Sequence, residues 1–120
     1  NENIDIGQIE GGFIQGLGWL TCEELCFSQE GKLLTTGPST YKLPGSRDVP
    51  PIFNVKLLEN ADNDEKTIFR SKAVGEPPLL LAISHFLALK EAIKASLPSS
   101  KAELLNSPAT PSEILKAIYA

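Results

Sequence analysis

The sequence predicts an α+β domain, on three observations. Apolar residues recur at helical spacing near both ends of the chain. Shorter apolar runs in the middle alternate or flank glycine turns. The two kinds of segment are mixed, not regularly alternated as in a parallel α/β fold. The reading gives about three helices and four short strands in 120 residues, a length that holds one domain.

The elements follow in chain order. Over residues 4–25, Ile6, Ile9, Phe13, Leu17 and Leu20 recur at intervals of three and four, which predicts a helix. Gly7, Gly11, Gly12, Gly16 and Gly18 sit inside that pattern. Each costs a helix up to about 1 kcal/mol relative to Ala. Their concentration implies that something approaches the backbone closely: another helix, a strand or a ligand. Over 24–36, short apolar runs flank Ser28-Gln29-Glu30-Gly31 and predict a hairpin, which Gly37-Pro38 ends. Pro44-Gly45 and Pro50-Pro51 mark an irregular loop. Residues 52–57 alternate as a half-buried strand does, 60–66 form a polar acidic turn, and 67–69 read as another short strand. Gly75-Glu76-Pro77-Pro78 opens a long helical pattern through Leu79, Ile83, Phe86, Leu87, Lys90 and Ile93, which Leu97-Pro98 breaks. A last helix covers 113–119, with Thr110 as N-cap, Pro111 at the first position and Glu113 three residues after the cap.

Composition narrows the function classes. A chain that is 42% hydrophobic and 22% charged has enough apolar residues for a core, so wholesale disorder is not expected. A net charge of −4 with scattered Lys and Arg argues against a nucleic-acid partner. The most apolar run, 79–89, carries Ser84 and His85 and is too short to span a bilayer, so no membrane partner is expected. There is no signal-peptide pattern and only two cysteines, which predicts a reducing, cytoplasmic setting. The sequence contains no Met, even at position 1, so a piece of a longer protein is expected.

Two places suggest chemistry. The glycine block matches neither the Gly-x-x-x-x-Gly-Lys-Ser/Thr phosphate loop nor the dinucleotide fingerprint. Gln8 and Gln15 lie seven positions apart, on roughly one helix face, and each amide both donates and accepts hydrogen bonds. Tight helix packing and approach to a ligand are both open readings of this block. Glu76 sits between Gly75 and Pro77-Pro78 with apolar Val74 and Leu79 nearby. One reading is a solvated helix cap. The other is a carboxylate held by a stiff turn in apolar surroundings, where desolvation makes it a usable base near neutral pH. Cys22 and Cys26 are too few for a structural zinc and read as buried thiols, His85 as a core or boundary residue, and Trp19 as a packing residue. Asp62, Asp64 and Glu65 form a solvated acidic turn without calcium-loop spacing.

Three segments carry a family resemblance: Gly7-Gln8-Ile9-Glu10-Gly11-Gly12-Phe13-Ile14-Gln15-Gly16-Leu17-Gly18, then Gly37-Pro38-Ser39-Thr40-Tyr41-Lys42-Leu43-Pro44, then Ser71-Lys72-Ala73-Val74-Gly75-Glu76-Pro77-Pro78. In this order and spacing, they resemble signatures of the xanthine dehydrogenase and aldehyde oxidase family of molybdenum hydroxylases. The resemblance covers essentially the whole chain, 1–120, as the C-terminal portion of a molybdopterin-binding domain. Trp19-Leu20-Thr21 followed by Glu23-Glu24-Leu25 is most similar to the bacterial xanthine dehydrogenases.

The resemblance implies a molybdopterin cofactor carrying molybdenum. It also implies a purine substrate such as hypoxanthine or xanthine. Glu76 is implied as general base on a molybdenum-bound hydroxide, with hydride passing to a sulfido ligand. Gln8 is implied to hydrogen-bond a molybdenum oxygen ligand without ligating the metal. Electrons then leave through 2Fe-2S clusters and FAD, on other domains or subunits, to NAD. Other implied partners are the remainder of the molybdenum-binding subunit and the iron–sulfur/FAD subunit or domain. An aldehyde oxidoreductase of the same family, and a non-catalytic packing module, are the alternative readings. The isolated 120-residue chain is expected to self-associate through exposed apolar surface, to bind no cofactor and to catalyse nothing. Stoichiometric molybdenum in elemental analysis of the purified chain overturns that last expectation.

Overall fold

Asn1 starts the first helix, its side chain accepting a hydrogen bond from the Asn3 N–H at 3.2 Å. In the computed structural model, which describes residues 1–61 and 63–120, this helix, α1, is Glu2–Thr21. It begins and ends earlier than the predicted 4–25. Its end is closed locally: the Gly18 carbonyl accepts from the N–H groups of both Cys22 and Glu23, and the Thr21 hydroxyl donates to the Leu17 carbonyl at 2.6 Å.

The long helix predicted after Glu76 is two helices, α2 (Pro77–Leu81) and α3 (Ile83–Ser96). The chain bends at Ala82, which is fully buried. Gly16 explains the burial. A Cβ at that position would fall against the Leu79 carbonyl oxygen and 2.9 Å from the Ala82 Cβ. Gly12 does the same one turn earlier, where a Cβ would lie 3.3 Å from the Pro78 Cβ. Glycines four apart on α1 thus form a notch, and the backbone of α2 lies in it.

The last helix, α4 (Pro111–Tyr119), forms as predicted, with the Thr110 side chain accepting from the Glu113 N–H. It packs with α3 and a short 3₁₀ turn at Ala102–Leu104 around Ile93, Ala102, Leu105, Ala109 and Ala117. Ala109 N–H donates to the Leu20 carbonyl at 2.7 Å, tying this cluster to the end of α1.

The predicted strands are corrected. Over 24–36 only one isolated bridge forms, Phe27 with Leu33, although Gly31 makes the turn with φ of +80°. Leu25, Phe27 and Leu34 stay exposed, so the hairpin has no buried face to stabilise a ladder. Residues 67–69 form no strand either; a 3₁₀ turn, Ile68–Arg70, stands there. The Asn63 amide donates to the Thr67 hydroxyl at 3.2 Å and to the Arg70 carbonyl at 3.3 Å, which closes the loop on itself. Residues 52–57 keep the alternation: Phe53, Val55 and Leu57 are half-buried while Ile52, Asn54 and Lys56 are exposed. No ladder accompanies it among the described residues. The acidic turn is exposed at Asp64 and Glu65, and Asp62 lies outside the described residues.

The radius of gyration is 18.4 Å, whereas a self-contained domain of this length has about 14 Å. Among the described residues no large side chain is fully buried, and Ile52, Leu58, Ile68 and Phe69 are 79%, 86%, 81% and 98% exposed. The apolar content expected to make a core is therefore only partly used within these residues. No helix among the described residues is long and apolar enough to cross a membrane.

The notch separates two glycines that look alike in sequence. Gly16→Ala should destabilise the chain by about 1–3 kcal/mol through overpacking. Gly7→Ala, where an added Cβ meets nothing within 4 Å, should stabilise it by up to about 1 kcal/mol. Urea denaturation followed by circular dichroism checks both; equal effects would show that α2 does not lie on Gly16.

Candidate functional site

The seating of α2 on α1 brings two distant motifs together. Glu76 occupies the N-cap position of α2, and its side chain makes no capping hydrogen bond. It borders a cavity of about 290 Å³ whose opposite wall is the Gln8, Gly11 and Gln15 face of α1, with Val74 and Gly75 beside it. Gln8, Gln15 and Glu76 are all exposed. The dry pocket expected around Glu76 is therefore not made by these residues, which supply one face of α1 and one turn. A second cavity of about 320 Å³ lies beside it, lined by Trp19, Pro77, Leu80 and again Glu76.

Trp19 is the residue whose place the sequence reading missed. It was expected to pack, yet it is 50% exposed and lines a cavity that Glu76 also borders. The signal was present. Gln8, Gly12, Gln15 and Trp19 follow one another at four, three and four positions, a single stripe along a helix.

What this stripe and turn can hold follows from their atoms. Two uncharged amides offer donors and acceptors together. Beside them, an added Cβ at Gly11 would meet nothing within 4 Å, so the wall is open to a bulky planar group. Among the described residues no group of three or more His, Cys, Asp or Glu could hold a metal directly. Two amides and one carboxylate can hydrogen-bond a polar organic group, and they would touch any metal it carries without ligating it.

The middle motif does not reach this cavity. It straps the other end of α1. The Tyr41 hydroxyl donates to Glu23 Oε2 at 2.6 Å, and the Cys22 thiol donates to the Lys42 carbonyl at 3.6 Å. Gly18 leaves room for the Pro44 ring, whose Cγ would lie 2.6 Å from a Cβ there. Glu23 is 8% exposed, a buried carboxylate matched by that hydroxyl. Its bond to Glu23 holds the Tyr41 hydroxyl above the ordinary phenol range, aided by desolvation. Asp48 is held below the usual carboxylate range by the Gly45 N–H and by Lys42. Cys22 is half-buried, but Cys26 is exposed, which corrects the expectation of two buried thiols; both are free. His85 is half-buried, beside Thr21, Cys22 and Asp48 in a cavity of about 260 Å³, a boundary position as expected.

Comparison with known proteins agrees with the resemblance. A family profile described as a molybdopterin cofactor-binding domain matches residues 1–50. The chain is 54% identical over 98% of its length to a xanthine dehydrogenase/oxidase of Felis catus. It is 55% identical over 80% of its length to a xanthine dehydrogenase of Drosophila subobscura. It is 49% identical over 99% of its length to xanthine dehydrogenase 2 of Arabidopsis thaliana. The chain spans 9%, 7% and 10% of these three relatives respectively.

The strap gives a pH-dependent prediction. A folded-state Tyr41 pKa raised above its unfolded value near 10 adds stability that is fully present below pH 10 and is lost as pH rises through the folded value. The chain should therefore exceed Tyr41→Phe in denaturation midpoint at pH 8. The difference should shrink above pH 10; a difference that stays constant would show that Tyr41 does not titrate against Glu23.

Proposed function

Since the chain belongs to the xanthine dehydrogenase family, we propose that it supplies the proton-accepting carboxylate and a cofactor-facing helix of a molybdenum hydroxylase acting on a purine such as hypoxanthine or xanthine. The observation that supports this is the shared cavity of Gln8, Gln15 and Glu76, formed by motifs more than sixty residues apart. When bound, a molybdenum–molybdopterin group supplies the two-electron redox chemistry for hydroxylating an electron-poor ring carbon. Gln8 and Gln15 would hold that group from the α1 side through their amides. Val74 and Leu79 present apolar surface toward the same space.

Glu76 takes the proton from the attacking oxygen nucleophile, and Gly75 and Pro77 fix the turn that carries it. Its side chain is free for this work, because it caps nothing. Gln8 orients the group it faces and bears no charge that would compete with the carboxylate. The remaining walls that exclude water come from outside these residues, as do the 2Fe-2S clusters and FAD that pass electrons to NAD.

Glu76→Gln in the full-length enzyme should lower turnover by about 10²- to 10⁴-fold, with molybdenum content unchanged. Gln8→Ala should cost about 10- to 100-fold in activity or cofactor retention. Steady-state kinetics with metal analysis checks both, and near-normal turnover of Glu76→Gln removes that residue from its role.

A further inference from the structure

Residues 49–61 make no backbone-to-backbone hydrogen bond with any other described residue. Within them, 52–57 alternates between exposed and half-buried residues, the period-2 pattern of a strand. Phe53, Val55 and Leu57 face the molecule, and the residues between them face out. The segment is anchored: the Phe53 ring lies 5.3 Å from the Phe13 ring of α1, tilted by 51°. One face is thus seated while both backbone edges carry unsatisfied N–H and C=O groups. Such groups pair with another strand or with water. Ile52 and Leu58, at 79% and 86% exposed, add apolar surface at the two ends of the segment.

The geometry points to residues 52–57 being an edge strand that pairs with an extended, alternately apolar segment from elsewhere in the same longer polypeptide. That occupant follows from length. The match to the Felis catus relative takes in 98% of this chain, yet this chain is 9% of that protein. The same residues sit there beside a far larger body of chain. The pairing supplies the ladder that the local sequence lacks, and Lys56 on the outward face keeps a second copy from stacking there easily. The inference is independent of the role of Glu76, because it is read without turnover.

Hydrogen–deuterium exchange of the full-length protein, read by mass spectrometry on peptides covering 52–57, tests the pairing. Those amides should exchange at least about 100-fold more slowly than unstructured chain. Exchange at the unstructured rate overturns the inference. A photo-crosslinking residue in place of Ile52 identifies the occupant. Crosslinks to the same polypeptide outside residues 1–120 support it. Crosslinks to a second copy, or confined to residues 1–120, overturn it.

Discussion

The seat of the Leu79 carbonyl against Gly16 decides where Glu76 stands relative to the glutamines of α1. Because no Cβ intervenes, α2 lies on the backbone of α1, with Ala82 fully buried at the next bend. Any side chain at Gly16 would lift α2 away, and Glu76 at its start would leave the Gln8 face. The glycines of α1 cost helix stability one by one, and the contact they permit offsets that cost. Gly18 repeats the arrangement at the other end, where it admits Pro44 and the buried Glu23. One helix therefore organises two separate attachments through its missing side chains.

The division of labour among the polar groups follows from their chemistry. Glutamine amides can hold an oxygen-rich group without altering its charge, and they donate or accept as that group requires. A carboxylate that caps no helix is left available for a proton. Trp19 extends the same stripe and lines, with Glu76, the neighbouring cavity. A buried carboxylate, Glu23, does different work: it is matched by Tyr41 and holds a loop. Two glutamates thus differ in role because one is buried with a donor and the other is exposed without one.

How much of this was legible depends on the range of the forces involved. Periodicity and helix caps are local, so α1 was readable from its apolar spacing and α4 from Thr110-Pro111. The meeting of Gln8 with Glu76 followed from the family resemblance of two motifs, and neither spacing nor composition contained it. The bend at Ala82 was not legible, because it answers a notch sixty-six residues away and leaves no proline or glycine at the site. The strands failed for the opposite reason. The alternation at 52–57 was read correctly and persists in the burial of Phe53, Val55 and Leu57. A strand, however, is defined by a partner, and sequence periodicity does not say whether the partner is present. The strand predicted at 67–69 gave way to a 3₁₀ turn closed by Asn63, whose side chain competes for the local backbone.

The small cluster around Ile93, Ala102, Leu105, Ala109 and Ala117 lies far along the chain from either glutamine, yet it grips the end of α1 through Ala109 and Leu20. Three of its five buried members are alanines, each at most 3% exposed. An inherited change that enlarges one of them overpacks the cluster and acts on how much folded protein survives quality control. Such an allele is a dosage defect. It is recognised by measuring activity per unit of antigen, not per cell.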